Sequence, residues 1–347
     1  MTHARRAGQD LGRLRQCDPS VIGADPAHGR SGRGPAMRPA VREYRTWAFD
    51  SRRWRDYAPR ADDIVIATYP KCGTTWMQQI VALLVFQDPA PRPLMEVSGW
   101  IDRRFGEPVE ATLATLEAQT HRRFLKSHLP ADGLPLHDTV RYIHVARDGR
   151  DAVMSWHNHA LSFTPEMLAR LHRCGLDDEA VGRPYPPPLA DPADHFHRWL
   201  TEGAVPGHVD GLPAMSYFEL ERSWWAERDR VNVLLVHYNA LQRDLGAEMR
   251  RIAGFLEIPV APSAWPALVE AAGFSAMRRN GDALLGQMTG AFRNGGASFF
   301  HKGTNGRWRG VFRPDDLARY DAKVSALPQA CARWLAEGGR IDAPATA

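Results

Sequence analysis

"ATYPKCGTTWMQQI", residues 67–80, follows the apolar run Ile64–Val65–Ile66 and sets how the rest of the chain is read. The stretch "DIVIATYP" predicts a buried strand, and the apolar spacing from Thr75 to Phe86 predicts a helix. Between them lies a short loop of small and polar residues that opens on the helix start. Backbone N–H groups there, with the helix dipole and threonine hydroxyls, can bind a tetrahedral anion. The spacing is not that of a nucleoside-triphosphate loop, which has two glycines five positions apart and Lys-Ser/Thr after the second. The alternative is a glycine turn in which Thr74 or Thr75 only caps the helix.

Outward from this loop the pattern repeats. "RRFLKSH", "VRYIHVARD" and "VNVLLVHY" read as strands, while "GRDAVMSWHNHAL" and "ALQRDLGAEMRRIAGFL" read as helices. Strands alternating with helices predict one α/β domain, a P-loop-like fold with a central, mainly parallel sheet flanked by helices. Ligands of such sheets gather at the carboxyl ends of the strands, and the polar motifs of this chain fall there. Residues 1–36, rich in Arg, Gly, Ala and Asp, are expected to be disordered, with Met37 as a candidate translation start. The folded domain is expected over 37–347. Within it, 162–200 is expected to be a Pro-rich loop on the acceptor side, and the glycine-rich, basic stretch 285–310 a loop that covers a nucleotide.

Bulk composition narrows the function. The chain has 347 residues, a net charge of +4 and ordinary apolar content, which suits small anionic ligands and gives no case for nucleic acid. No apolar run is long enough to span a bilayer, so no membrane partner is expected. Cys17, Cys72, Cys174 and Cys331 lack metal-like pairing, which predicts reduced thiols, no metal and a cytoplasmic setting. Only Lys71, Lys126, Lys302 and Lys323 are lysines among the 44 basic residues. Lysine is a compact point charge where arginine is a broad fork, so these positions are candidates for sites that need an ammonium.

Four constellations carry chemistry. Lys71–Thr75 is the anion loop. Lys126 and His128 end a strand and point to one side of it, a cation beside a general base, although a lone histidine is more often a packed core residue. Arg147 and Ser155 flank a strand end and a helix start, where arginine suits bidentate phosphate contact but could equally pair with Asp148 or Asp151. Lys302–Gly303 lies in "FFHKGTNGRW", which can wrap a phosphate or be an idle solvated loop.

Their order along the chain is more specific than any one of them. From Asp63 to Phe312 the sequence resembles the cytosolic sulfotransferases that use 3′-phosphoadenosine 5′-phosphosulfate (PAPS). "YPKCGTTW" resembles their 5′-phosphosulfate loop, "FLKSHLP" their Lys-x-His-Leu-Pro segment, "RDGRDAVMSW" their 3′-phosphate site and "FFHKGTNGRW" their C-terminal Arg-Lys-Gly motif. The resemblance implies PAPS as sulfuryl donor, PAP as product, no metal, and a hydroxyl of a small molecule as acceptor. It implies that Lys71, Cys72, Gly73, Thr74 and Thr75 hold the phosphosulfate. Arg147, Ser155, His301, Lys302 and Gly303 would hold the 3′-phosphate, while Trp76, Phe274 and Tyr238 would surround the adenine. Lys71, Lys126 and Ser155 would assist transfer, with His128 as base.

Departures from the family pattern are Cys72 for Ser, His301 for Arg, Arg307 for Asp, Asp148–Gly149 for Asn-Pro, and Ala272–Gly273 for hydroxyl residues before Phe274. Rival readings are a kinase with a divergent loop and a non-catalytic PAPS sensor. The pairs His157/His159 and His195/His197 are expected to pack or to line the acceptor pocket rather than bind metal, and Phe218, Trp224 and Trp225 to pack a helix. The sequence does not name the acceptor and leaves a homodimer open.

Overall fold

The computed structural model describes residues 37–339 and residue 341. The expected disorder of 1–36 lies outside the described residues.

Five parallel strands form the central sheet: β1 (Ile64–Thr68), β2 (Ser98–Trp100), β3 (Phe124–Ser127), β4 (Arg141–Ala146) and β5 (Val233–His237), in the order β2-β3-β1-β4-β5. β1 lies at the centre, and the chain leaves β3 on one side of it to return as β4 on the other. Every residue of β1 is buried, as expected of a parallel strand covered on both faces. Alternation sends Ile64 and Ile66 to one face, against Met77, Ile80 and Val81 of the Thr74–Phe86 helix. Val65 and Ala67 go to the other, against Leu125, Tyr142 and Trp224. The α/β class and parallel sheet expected from the sequence are therefore present.

Three local expectations change. The stretch 162–200 is a loop only in part: Pro165–Leu176 and Pro192–Thr201 are helices, and the proline-rich run 183–190 between them is irregular. Pro165 and Pro192 stand at the first turns of these helices, where the missing N–H is no loss, while Pro184, Pro186, Pro187 and Pro188 lie in the irregular segment between them. Thr164 and Asp191 cap them by accepting from the Met167 and Ala193 amides at 3.2 and 2.8 Å. Within 285–310 a 3-10 turn (Gly286–Ala291) and a short helix (Gly295–Phe299) interrupt the loop. The helix expected at 240–256 is two helices, Tyr238–Arg243 and Leu245–Phe255, broken where Asp244 caps the second by accepting from Ala247 N–H at 2.9 Å.

Candidate active site

Strand register decides which side chains meet. Ala67 of β1 lies beside Ser127 of β3, Thr68 beside Val145 of β4, and Ala146 beside His237 of β5. The residues just past those ends are Lys71, His128, Arg147 and Tyr238, so neighbouring strands each deliver one group to the same edge. All four line one cavity of about 220 Å³. Gly73, Thr74, Thr75, Trp76, Lys126 and Ser155 line it too, as do Phe274, His301, Lys302 and Gly303. Among the expected site residues only Cys72 is absent from its wall. Its thiol is fully buried in the apolar cluster beneath, and its amide donates to the Tyr69 carbonyl at 3.2 Å.

The loop has the strain of a cradle. Lys71 and Gly73 both take positive φ, 71° and 111°, and a Cβ on Gly73 would come within 3.1 Å of the Tyr238 ring. Gly73 caps the Thr74–Phe86 helix without a side-chain hydrogen bond. The Thr74 hydroxyl instead meets that of Thr68, so the capping alternative fails. Gly303 is similarly constrained: φ is 67°, and a Cβ would meet the Phe274 ring at 2.6 Å.

His128 is buried and boxed by Phe49 and Trp100, with ring centroids 5.4 and 5.3 Å away. Its Nδ1 lies 2.9 Å from the Thr68 carbonyl oxygen. A carbonyl only accepts, so the ring proton is on Nδ1 and Nε2 carries a free lone pair. Burial, then the Lys126 and Lys71 charges, hold its pKa well below the usual histidine range. Lys126 lies over the Trp100 ring at 3.9 Å, and burial pushes its pKa down to about 7 against the opposing pull of Asp102. The buried Asp102 accepts from the Trp54 and Trp100 indoles and the His128 amide.

Lys71 is also pushed down to about 7, by burial and then by Lys126 and Arg147. Its ammonium lies 4.5 Å from the centre of the Phe299 ring and 3.4 Å from His159 Nδ1. Arg147 stacks on Tyr238 at 4.1 Å. It donates to Asn305 Oδ1 at 2.9 and 2.6 Å and to the Thr304 and Lys71 carbonyls, each at 3.2 Å. Neither Asp148 nor Asp151 pairs with it, because Asp148 takes Arg150 at 2.7 Å and Asp151 takes the Gly306 amide at 2.7 Å. Trp76 donates to the Ala272 carbonyl at 2.8 Å and packs edge-on to Tyr238.

Several residues at the site escape sequence reasoning. Trp100 ends a three-residue strand too short to show alternation. His159 belongs to the pairs expected to pack or to line a pocket, and is the one of those four histidines that lines the cavity. His157 donates to the Leu189 and Ala190 carbonyls, His195 is buried, and His197 pairs with Asp316 at 2.7 Å. Trp224 and Trp225 pack in the core with Phe218. An apolar wall of Phe49, Leu94, Met95, Phe105, Met167 and Met288 extends the cavity beyond the polar groups. Among the described residues no group of three or more His, Cys, Asp or Glu could hold a metal ion, and no helix is long and apolar enough to cross a membrane.

Comparison with known proteins gives the family and the fold. A family described as "Sulfotransferase domain" matches residues 61–331. The glycolipid sulfotransferase of Mycobacterium bovis is 34% identical over 318 residues, covering 87% of this chain and 96% of its own length. Among solved structures, mouse sulfotransferase SULT7A1 complexed with PAP superimposes with a TM-score of 0.62 at 20% identity, over 84% of this chain and 94% of that one. Retinol dehydratase, in a complex with retinol and PAP, gives 0.61 at 21% identity, over 80% of this chain and 87% of that one.

Proposed function

The chain belongs to the sulfotransferase family, and from that premise we propose that it transfers a sulfuryl group from PAPS to a hydroxyl on an apolar acceptor, with His128 as general base. The observation that carries this reading is the hydrogen bond from His128 Nδ1 to the Thr68 carbonyl. It leaves Nε2 as a proton acceptor at an edge that also holds Lys71 and Lys126. The donor supplies an activated sulfuryl group. The cavity suits it: an anion loop, cations with neutral partners, and Trp76, Tyr238 and Phe274 as a place for a base.

In this mechanism His128 takes the acceptor's hydroxyl proton as that oxygen bonds to sulfur. Lys71 neutralises the charge that collects on the bridging oxygen as the old S–O bond breaks. Lys126 and the Thr74 and Thr75 groups steady the equatorial oxygens. Such transfer depends mainly on alignment and charge compensation. Ser155, Lys302, Gly303 and Arg147 anchor the nucleotide, with residues 285–310 as its cover.

The wall of Phe49, Leu94, Met95, Phe105 and Met288 favours an acceptor that presents its hydroxyl from an apolar body. A lipid alcohol or glycolipid fits, and the name of the mycobacterial relative points the same way. The test is incubation with sulfur-labelled PAPS and a panel of glycolipids, fatty alcohols, sterols and phenols. Label is expected in the sulfate ester of an acceptor with an apolar body. Tight PAP binding with no transfer to any acceptor would leave a sensor, and turnover with ATP and magnesium would leave a kinase.

A further inference from the structure

Two sequence departures, His301 and Arg307, sit together at the cavity. Arg307 lines it beside Arg147, Ser155 and Lys302. Its guanidinium donates to His301 Nδ1 at 2.9 Å and to the carbonyl of Met154, the residue before Ser155, at 3.2 Å. The segment just before it is tied down at two points: the Asn305 side chain accepts from Arg147, and Gly306 N–H donates to Asp151 Oδ1. Arg307 is thus held at a set position next to a second arginine.

Every acceptor on these two guanidiniums is neutral: an amide oxygen, carbonyls and an imidazole. Burial, and then the Arg147 charge, lower the Arg307 pKa, while Asp151 opposes them through space. Two forks facing one cavity repel unless an anion stands between them, and a tetrahedral phosphate matches their geometry. Arg307 engages only part of its five N–H donors, leaving others for such a group. Of the two anionic ends of the proposed donor, the phosphosulfate has its own loop at Lys71–Thr75.

Resting on that donor reading, we infer that Arg307 binds the 3′-phosphate together with Arg147, and that His301 orients Arg307 rather than meeting the phosphate itself. The guanidinium missing at position 301 is thereby supplied six residues later. His301 must be neutral to accept from Arg307. Burial, then Arg307, Lys302 and Arg278, keep it so by lowering its pKa.

The test compares PAP with adenosine 5′-phosphate, which lacks the 3′-phosphate, by calorimetric titration of the wild-type chain, R307M and R307K. Apo melting checks that each variant is folded. R307M is expected to weaken PAP binding by about 10- to 100-fold, the cost of a lost charged hydrogen bond, while leaving adenosine 5′-phosphate unaffected. R307K, which keeps the charge and loses the fork, should fall between. Equal loss for both ligands, or no loss for PAP in either variant, overturns the assignment. A wild type that binds PAP no better than adenosine 5′-phosphate would remove the donor reading itself, and this assignment with it.

Discussion

The two ends of the central sheet handle buried cations in opposite ways. At the amino end, Arg123 just before β3 meets the buried Asp63 just before β1, with Nε 2.8 Å from Oδ1 and a second contact to Oδ2. The Tyr57 hydroxyl also donates to that carboxylate. At the carboxyl end, Lys71, Lys126 and Arg147 lie on rings, amides and carbonyls, and none of them forms an ion pair among the described residues. A buried charge without a counter-ion is costly. The amino end satisfies its cation within the fold, whereas the carboxyl end leaves its cations for a ligand to satisfy. Electrostatic complementarity thus separates the two ends, and on the proposed function the end without counter-ions is the reactive one.

That contrast breaks most sharply at His128. His128→Ala should lower kcat by about 10²- to 10⁴-fold, the range of a lost general base, with PAP affinity and melting temperature retained. Turnover near wild type would end the role of His128. Arg123→Met is the converse. It leaves Asp63 buried without its partner and should cost about 3–5 kcal/mol of stability, seen as a lower urea midpoint, while the folded fraction still binds PAP. If Arg123→Met instead spared stability and reduced nucleotide binding, the division between the two ends would be wrong.

The same division explains what the sequence discloses. Groups at strand ends were legible because each strand brings its polar residues to a fixed place: "YPKCGTTW", "FLKSH" and the Arg147–Ser155 pair all reach the cavity. Lysine scarcity was informative too. Lys71, Lys126 and Lys302 line the cavity, while Lys323 pairs with Asp210 at 2.6 Å. The apolar wall of the cavity was not legible, because it is assembled from segments far apart in sequence with no shared periodicity. Phe49, Met95, Met167 and Met288 meet only through tertiary packing. Proline misled only at Pro165 and Pro192, because the same residue that breaks a helix interior starts a helix at its first turn; the run 184–188 is the loop expected of it. His157 and His159 were legible as packing or pocket residues, but only three-dimensional rotation shows which of them faces Lys71.

A third test reads the unsatisfied charges by pH. Lys71 and Lys126 are held near 7 in the free site, against an ordinary lysine value of 10.5. A bound anion favours the charged ammonium and raises both values. Between those limits the free site has lost protons that the complex retains, so binding takes protons up. PAP affinity should therefore fall as pH rises above 7, by as much as about tenfold per pH unit for each lysine, and level off below it. Calorimetry at pH 8 in buffers of different ionisation enthalpy measures the uptake directly. Binding without proton uptake would mean that the lysines are already fully charged in the free site.

The smallest effect is expected at Cys72, the residue in the loop that belongs to neither group of cations. Its neighbours Lys71 and Gly73 line the cavity, yet its side chain turns into the apolar cluster with Tyr69 and Tyr217, where burial pushes the thiol well above its usual range. A thiol there behaves as a small apolar group with little tendency to ionise. Cys72→Ser places a hydroxyl in the same space and should lower stability by about 1–3 kcal/mol if the hydroxyl finds no partner. PAP affinity and turnover should not change, because the cradle is formed by the neighbouring residues and by backbone groups. A clear loss of nucleotide affinity in Cys72→Ser at unchanged melting temperature would put this side chain back into the anion loop. It would also show that the boundary between packing and binding runs one residue deeper than the geometry places it.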